Sequence, residues 1–184
     1  IEDEYTVHYK TSDGLQSREF SGGAYLKNSA GEMFFGGING LNYFYPDSIK
    51  DNSYIPDVQI TSIKIFDKEV SGEPEELTLS YDDNFFSIEF TSLDYTSPDD
   101  NQYSYMLSGL ESDWRYANSR NRKVFYTNLQ PGEYTFKVRG SNSDGIWNYE
   151  GDSVKITILP PFWMTWWFIG LLLQLYILFP YLYR

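Results

Sequence analysis

The chain has 184 residues, a formal net charge of −12, a pI near 4.4, one His and no Cys. That acidity excludes nucleic acid as a partner, because phosphate binding rests on clustered Lys and Arg; the missing Cys excludes disulfides, thiolate nucleophiles and zinc-thiolate sites. Abundant Tyr, Phe and Thr with turn residues at short intervals predict a solvated all-β protein.

Residues 1–53 read as short strands over 5–10, 23–27, 32–35 and 41–45, separated by Asp13-Gly14, Ala30-Gly31 and Asn39-Gly40. This spacing suits a β-propeller blade. A single blade cannot bury both faces of its sheet, so this part is expected to be unstable or to lean on a neighbour. His8 reads as an exposed edge-strand residue rather than a general base. Residues 46–56 are largely polar with Pro at each end, which predicts a boundary and three segments: 1–53, 54–160 and 161–184.

The middle segment alternates. Phe86, Ile88 and Phe90 interleave with Ser87, Glu89 and Thr91; Tyr103, Tyr105 and Leu107 with Ser104, Met106 and Ser108; Tyr134, Phe136 and Val138 with Thr135, Lys137 and Arg139. With strands over 58–65, 77–80, 123–126 and 154–158, about seven strands fall within about a hundred residues, as in an immunoglobulin-like or fibronectin-III-like β-sandwich. Leu129-Gln130-Pro131-Gly132-Glu133-Tyr134 places a Tyr at a Pro-Gly corner, where its hydroxyl would bond upstream backbone. Trp114 is expected in the core between sheets, and Asn142-Ser143-Asp144-Gly145 in a tight turn.

Polar clusters in this segment give no catalytic centre. Asp82-Asp83-Asn84 and Asp99-Asp100-Asn101 sit in turn contexts and lack the spaced calcium-loop pattern. Arg115, Arg120, Arg122 and Lys123 read as a solvated hairpin tip, with an acidic oligosaccharide or a partner carboxylate as the alternative. No catalytic, metal or cofactor residue is assigned.

At the C-terminus a strand meets Pro160-Pro161, then an uncharged apolar stretch over 162–183. At about 1.5 Å per residue this stretch as a helix would cross a hydrocarbon core of roughly 30 Å. Trp163, Trp166 and Trp167 at one end and Tyr176, Tyr181 and Tyr183 toward the other suit the headgroup level. Gln174 and Pro180 depart from a plain anchor, and Gln174 is a candidate for helix pairing. The missing Met and the single basic Arg184 suggest a piece of a longer protein, with the β module outside and the C-terminus in the cytoplasm.

Two resemblances join these readings. Ser12-Asp13-Gly14-Leu15-Gln16-Ser17-Arg18-Glu19-Phe20, Ala30-Gly31-Glu32-Met33-Phe34-Phe35-Gly36-Gly37 and Gly40-Leu41-Asn42-Tyr43-Phe44-Tyr45-Pro46 resemble the last blade of the regulator-type propeller repeats of bacterial sensors. The runs 103–114 (Tyr103 to Trp114), 124–134 (Val124 to Tyr134), Asp144-Gly145-Ile146-Trp147 and Ile158-Leu159-Pro160-Pro161-Phe162-Trp163 resemble the triple-tyrosine (Y_Y_Y) domain. The resemblance implies that Tyr105, Tyr126 and Tyr134 are the name-giving tyrosines; as large aromatics on alternating sandwich strands they read as structural, like Trp114, Pro131 and Gly132. It implies a domain that follows a periplasmic propeller and precedes a membrane helix in two-component sensors, prominently the hybrid sensors that detect glycan fragments in gut Bacteroidetes.

The expected function is the periplasmic juxtamembrane part of an inner-membrane sensor histidine kinase, itself without enzymatic activity or cofactor. Pro160 and Pro161 form the relay junction, passing oligosaccharide sensing by upstream blades to a downstream kinase in the same chain through rearrangement of a homodimer. The alternatives are a membrane-anchored, non-signalling carbohydrate-binding or adhesion module and an enzyme accessory domain. No ligand-contacting residue is named.

Overall fold

The structure, a computed structural model, describes residues 8–182 apart from residues 51, 73 and 84. It divides into two compact units, Ile1–Ser53 and Tyr54–Arg184.

In the first unit three strands, β1 (Tyr25–Lys27), β2 (Met33–Gly37) and β3 (Gly40–Phe44), form an antiparallel sheet in chain order. The strand expected over 5–10 falls partly outside the described residues, and its remainder, 8–10, is irregular and leads into a 3-10 turn at Thr11–Asp13. Gln16 ties the lead-in to the sheet: its N–H donates to Asn42 Oδ1 at 2.7 Å, and its Oε1 accepts from the Asn39 N–H at 2.9 Å. Among the described residues of this unit none is buried, and Tyr25, Leu26, Leu41 and Tyr43 all stand exposed.

The second unit has two sheets. One has the order β10-β7-β4-β5, with β4 Val58–Ile65, β5 Lys68–Glu69, β7 Phe85–Ser92 and β10 Lys123–Thr127. The other has the order β6-β12-β11-β8-β9, with β6 Glu76–Leu79, β8 Gln102–Ser108, β9 Arg115–Asn118, β11 Gly132–Ser141 and β12 Trp147–Ile158. Period-2 alternation, offset in β4 by a register shift between Ile60 and Ser62, puts Ile60, Ile63, Phe86, Ile88 and Phe90 of the first sheet against Leu107, Phe136, Val138, Val154 and Ile156 of the second, in one buried cluster. Phe90 and Phe136 meet from opposite sheets, with ring centroids 6.1 Å apart. Gly140 lets them close in, since a Cβ there would lie 2.9 Å from Val58 Cγ2.

Two expectations are corrected here. Trp114 lies outside the core: its half-buried ring stacks on Arg139, whose guanidinium carbon is 4.0 Å from the ring centroid. The membrane-crossing helix over 161–184 is also not found. The only helix longer than one turn among the described residues, α1, runs Trp166–Leu182, 17 residues, and no described helix is long and apolar enough to cross a membrane. The shortening has a local cause. Pro161 leads into a 3-10 turn at Phe162–Met164, and Thr165, in extended conformation with its hydroxyl donating to the Phe162 carbonyl, delays the helix; its own carbonyl accepts the first helical bond, from Ile169. Tyr183 and Arg184 lie outside the described residues.

Candidate functional site

The segment that leads into the second unit is held by the hairpin of β11 and β12. Asn142 Nδ2 donates to the Tyr54 carbonyl at 2.9 Å, Asn148 Nδ2 donates to the Pro56 carbonyl at 2.9 Å, and Asp152 Oδ2 accepts from the Ile60 N–H at 2.7 Å. The two asparagines also organise their own turns: Asn142 Oδ1 accepts from the N–H groups of Asp144 and Ile146, and Asn148 Oδ1 from those of Glu150 and Gly151. Beneath the hairpin lies a buried polar layer. Asp94 accepts from the Thr96 and Ser143 N–H groups, Asn101 donates to the Asp94 carbonyl, and Ser92 Oγ donates to the Ser141 carbonyl. Burial alone would raise the Asp94 pKa, but the backbone N–H groups and the hydroxyls of Ser143 and Thr96 together outweigh it and hold the carboxyl below its usual range.

From this clamp β12 runs the length of the sheet to the exit. Over Lys155–Ile158 it is flanked by β11 on one side and by the parallel strand β6 on the other, and the Leu159 N–H continues the ladder to the Leu79 carbonyl at 2.9 Å. Pro161 is buried, Pro160 is exposed, and Trp163 packs edge-on against Tyr81 at 5.0 Å. No flexible spacer separates the last strand from α1. Trp166 and Trp167 of α1 are exposed, as are Ile169, Leu172, Leu173, Leu175 and Ile177 on all its sides.

The three motif tyrosines belong to the packing. Tyr105 and Tyr126 both lie against Phe136, at 6.1 and 6.2 Å. Tyr134 donates from its hydroxyl to the Gln130 carbonyl at 2.9 Å, pinning the corner formed by Pro131 and Gly132. The buried Tyr126 hydroxyl has its pKa pushed up, by burial first and then by the neighbouring Glu111 carboxylate. Glu111 in turn accepts from the Leu107 N–H at 2.9 Å and pairs with Arg115 Nη2 at 2.8 Å.

Residues 94–159 match the family described as the Y_Y_Y domain. The chain carries a Y_Y_Y domain. Histidine kinase P4 of Formosa agariphila is 34% identical over 171 residues, which are 86% of this chain and 12% of that protein. The extracellular domain of a putative hybrid two-component system of B. thetaiotaomicron is 31% identical with a TM-score of 0.70, over 83% of this chain and 22% of that one. A second such domain from the same organism, at 23% identity and TM-score 0.54 over 74% of this chain and 20% of that one, shows the fold alone. The chain thus spans 12% and 22% of the length of the first two of these relatives.

Around the Y_Y_Y core the remaining candidates scatter. His8 is exposed in the first unit. Asp82 and Asp83 lie in the loop between β6 and β7, with Asn84 outside the described residues; Asp99 and Asp100 close a 3-10 turn above the buried Asn101. Among the described residues no group of three or more His, Cys, Asp or Glu could hold a metal ion. The basic run is not one hairpin tip, because β9 and β10 belong to different sheets and residues 119–122 cross between them. Arg122 donates to Thr91 Oγ1 at 2.9 Å, and Lys123 pairs with Glu89 at 2.8 Å, which lowers the Glu89 pKa.

Sequence reasoning missed the clamp. The sequence reads Asn142 only as a turn residue, and nothing in it marks which distant carbonyl an Asn amide will meet. It also missed an aromatic group on the outer face of the second sheet, where Tyr116 and Trp147 meet at 6.4 Å, Trp147 and Tyr149 at 6.4 Å, and Arg139 lies between Trp114 and Tyr149.

Proposed function

We propose that this chain is the periplasmic juxtamembrane part of a two-component sensor histidine kinase, relaying oligosaccharide sensing by an upstream propeller to a cytoplasmic kinase. Its first unit is read as the last propeller blade, whose uncovered apolar side chains call for neighbouring blades. Its second unit is read as an immunoglobulin-like or fibronectin-III-like sandwich: β4, β7 and β10 stand with β5 in one sheet, and β8, β11 and β12 with β6 and β9 in the other. The described helix α1 does not by itself cross a bilayer, yet its side chains from Ile169 to Leu178 are exposed and uncharged; lipid is the reading adopted for what covers them, with Trp163, Trp166 and Trp167 at the headgroup level.

One observation carries the relay: the lead-in strand is bonded to the same hairpin whose last strand enters α1 through two prolines. A displacement of the lead-in is thereby delivered to the helix through a stiff strand and a semi-rigid joint. Two copies pairing through these units would convert it into a change of helix spacing, provided that ligand binds one arrangement more tightly than the other. The test uses the full-length protein. A Gly/Ser spacer inserted between Leu159 and Phe162 should leave oligosaccharide binding intact and abolish ligand-dependent kinase output. Unchanged output would sink the relay.

A second reading, a membrane-anchored carbohydrate-binding or adhesion module, is favoured by the exposed outer-face rings of Tyr116 and Tyr149 beside Trp147. It requires that Trp147→Ala weaken sugar binding, whereas the relay reading expects no such loss.

A further inference from the structure

At the end of the second unit where the chain leaves for α1, the two-residue turn joining β4 to β5 holds Phe66 at φ +53°. Primed turns of this length normally put Gly or Asn at such a position, and a bulky side chain in the left-handed region is a true outlier. The fold gains no core contact in exchange. The Phe66 ring is 50% exposed and stacks on Phe85 at 5.9 Å, which meets Phe125 at 6.3 Å, itself 58% exposed.

The row stands at the exit by strand direction. β4 ends at Ile65, β7 begins at Phe85 and β10 ends at Thr127, in register. Phe85 follows Tyr81, on which Trp163 packs, by four positions, and β6 runs parallel to the last stretch of β12 on its way there. Exposed Leu110, Leu159, Phe162 and Met164 lie at the same end.

We propose that this end of the domain is a lipid-contact surface, with Phe66, Phe85 and Phe125 seated at the headgroup level of the bilayer that takes α1. The inference rests on the reading of α1 as a lipid-embedded helix. What selects lipid over another occupant is continuity: the exposed rings share an end with Trp163 and with a helix apolar all round, and aromatic rings favour the water-lipid boundary. Contact on the sheet as well as on the helix would fix the tilt of the domain over the membrane, so that the semi-rigid Pro160-Pro161 joint passes a relayed displacement to the helix from a defined starting angle.

The chain has no Cys, so single-Cys probes can be placed in the full chain without background. Asp67→Cys and Thr127→Cys report on the row, Tyr95→Cys on the opposite end, and Leu173→Cys on α1. Each is labelled with an environment-sensitive fluorophore and reconstituted in phosphatidylcholine vesicles carrying headgroup-level or acyl-chain spin labels. The expected result is blue-shifted emission with loss of intensity at 67 and 127 from headgroup-level labels, at 173 from acyl labels, and neither at 95. Quenching at 173 with none at 67 and 127 overturns the inference and leaves the helix reading standing; no quenching at 173 removes both. A shift at 67 that follows protein density and not lipid labels points to contact between copies and equally overturns it. Phe66→Gly supplies the last arm: its thermal midpoint should match or exceed that of the parent while quenching at 127 falls, and undiminished quenching would dismiss Phe66 as an anchor.

Discussion

Asp94 is 4% exposed, yet it keeps its charge because the backbone N–H groups of Thr96 and Ser143, helped by their hydroxyls, point at it. Its folded pKa is lower than its unfolded one, so its contribution is complete above about pH 4 and is lost as pH falls through the folded value. Asp94→Asn should therefore cost about 1–3 kcal/mol in urea unfolding at pH 7, with the gap to the parent closing in acid. A gap equal at pH 7 and pH 3 would show that shape, and not charge, is what the loop requires. Nothing in Leu93-Asp94-Tyr95 announces this role, since a loop Asp looks alike whether it faces solvent or a buried turn. Tyr134 is the opposite case: Pro131-Gly132 ahead of an alternating strand defines both the corner and the direction of the ring. Trp114 misled because size argues for burial; its position just before the edge strand β9 instead turns the ring onto Arg139 at the outer face.

β12 was legible only in its second half. Val154, Ile156 and Ile158 alternate cleanly, whereas Asn148, Glu150, Gly151 and Asp152 break the pattern, because the register shifts between Val138 and Gly140 and Gly151 sits opposite at φ +60°. A Cβ on Gly151 would collide with the Val138 carbonyl, so the irregularity is built into the strand. The broken stretch is where Asn148 and Asp152 reach the lead-in. Asn148→Ala should cost about 1–2 kcal/mol and raise hydrogen exchange at residues 57–60 while leaving the β7–β10 ladder protected. Undisturbed protection there would mean that the lead-in is held without the hairpin. For α1 the apolar pattern was legible but its start was not: a hydropathy run counts Phe162 to Thr165 as helix, while Pro161 and the Thr165 cap spend them on a turn.

The two units differ in what they can hide. The second encloses one core between its sheets, while the first buries no described side chain and exposes Tyr25, Leu26, Leu41 and Tyr43. Backbone amides of β1 to β3 should then exchange well before those of β7, β11 and β12, and should slow when the preceding repeats of the full-length protein are present; equal protection in this chain would mark the blade as self-sufficient. The reading of residues 1–53 as one blade anticipates that asymmetry, because a single sheet of four short strands cannot bury both of its faces. The parallel pairing of β6 with β12 carries a further, mechanical consequence. The chain enters the second unit at the start of β4 and leaves at the end of β12, so tension between these points draws β12 along its own axis past both neighbours. Every ladder bond from Glu76 to Leu79 and from Gly132 to Val138 would then be strained together in shear, where peeling would break them one after another. The domain should behave under pull as a rivet: nearly inextensible until it fails, and failing all at once.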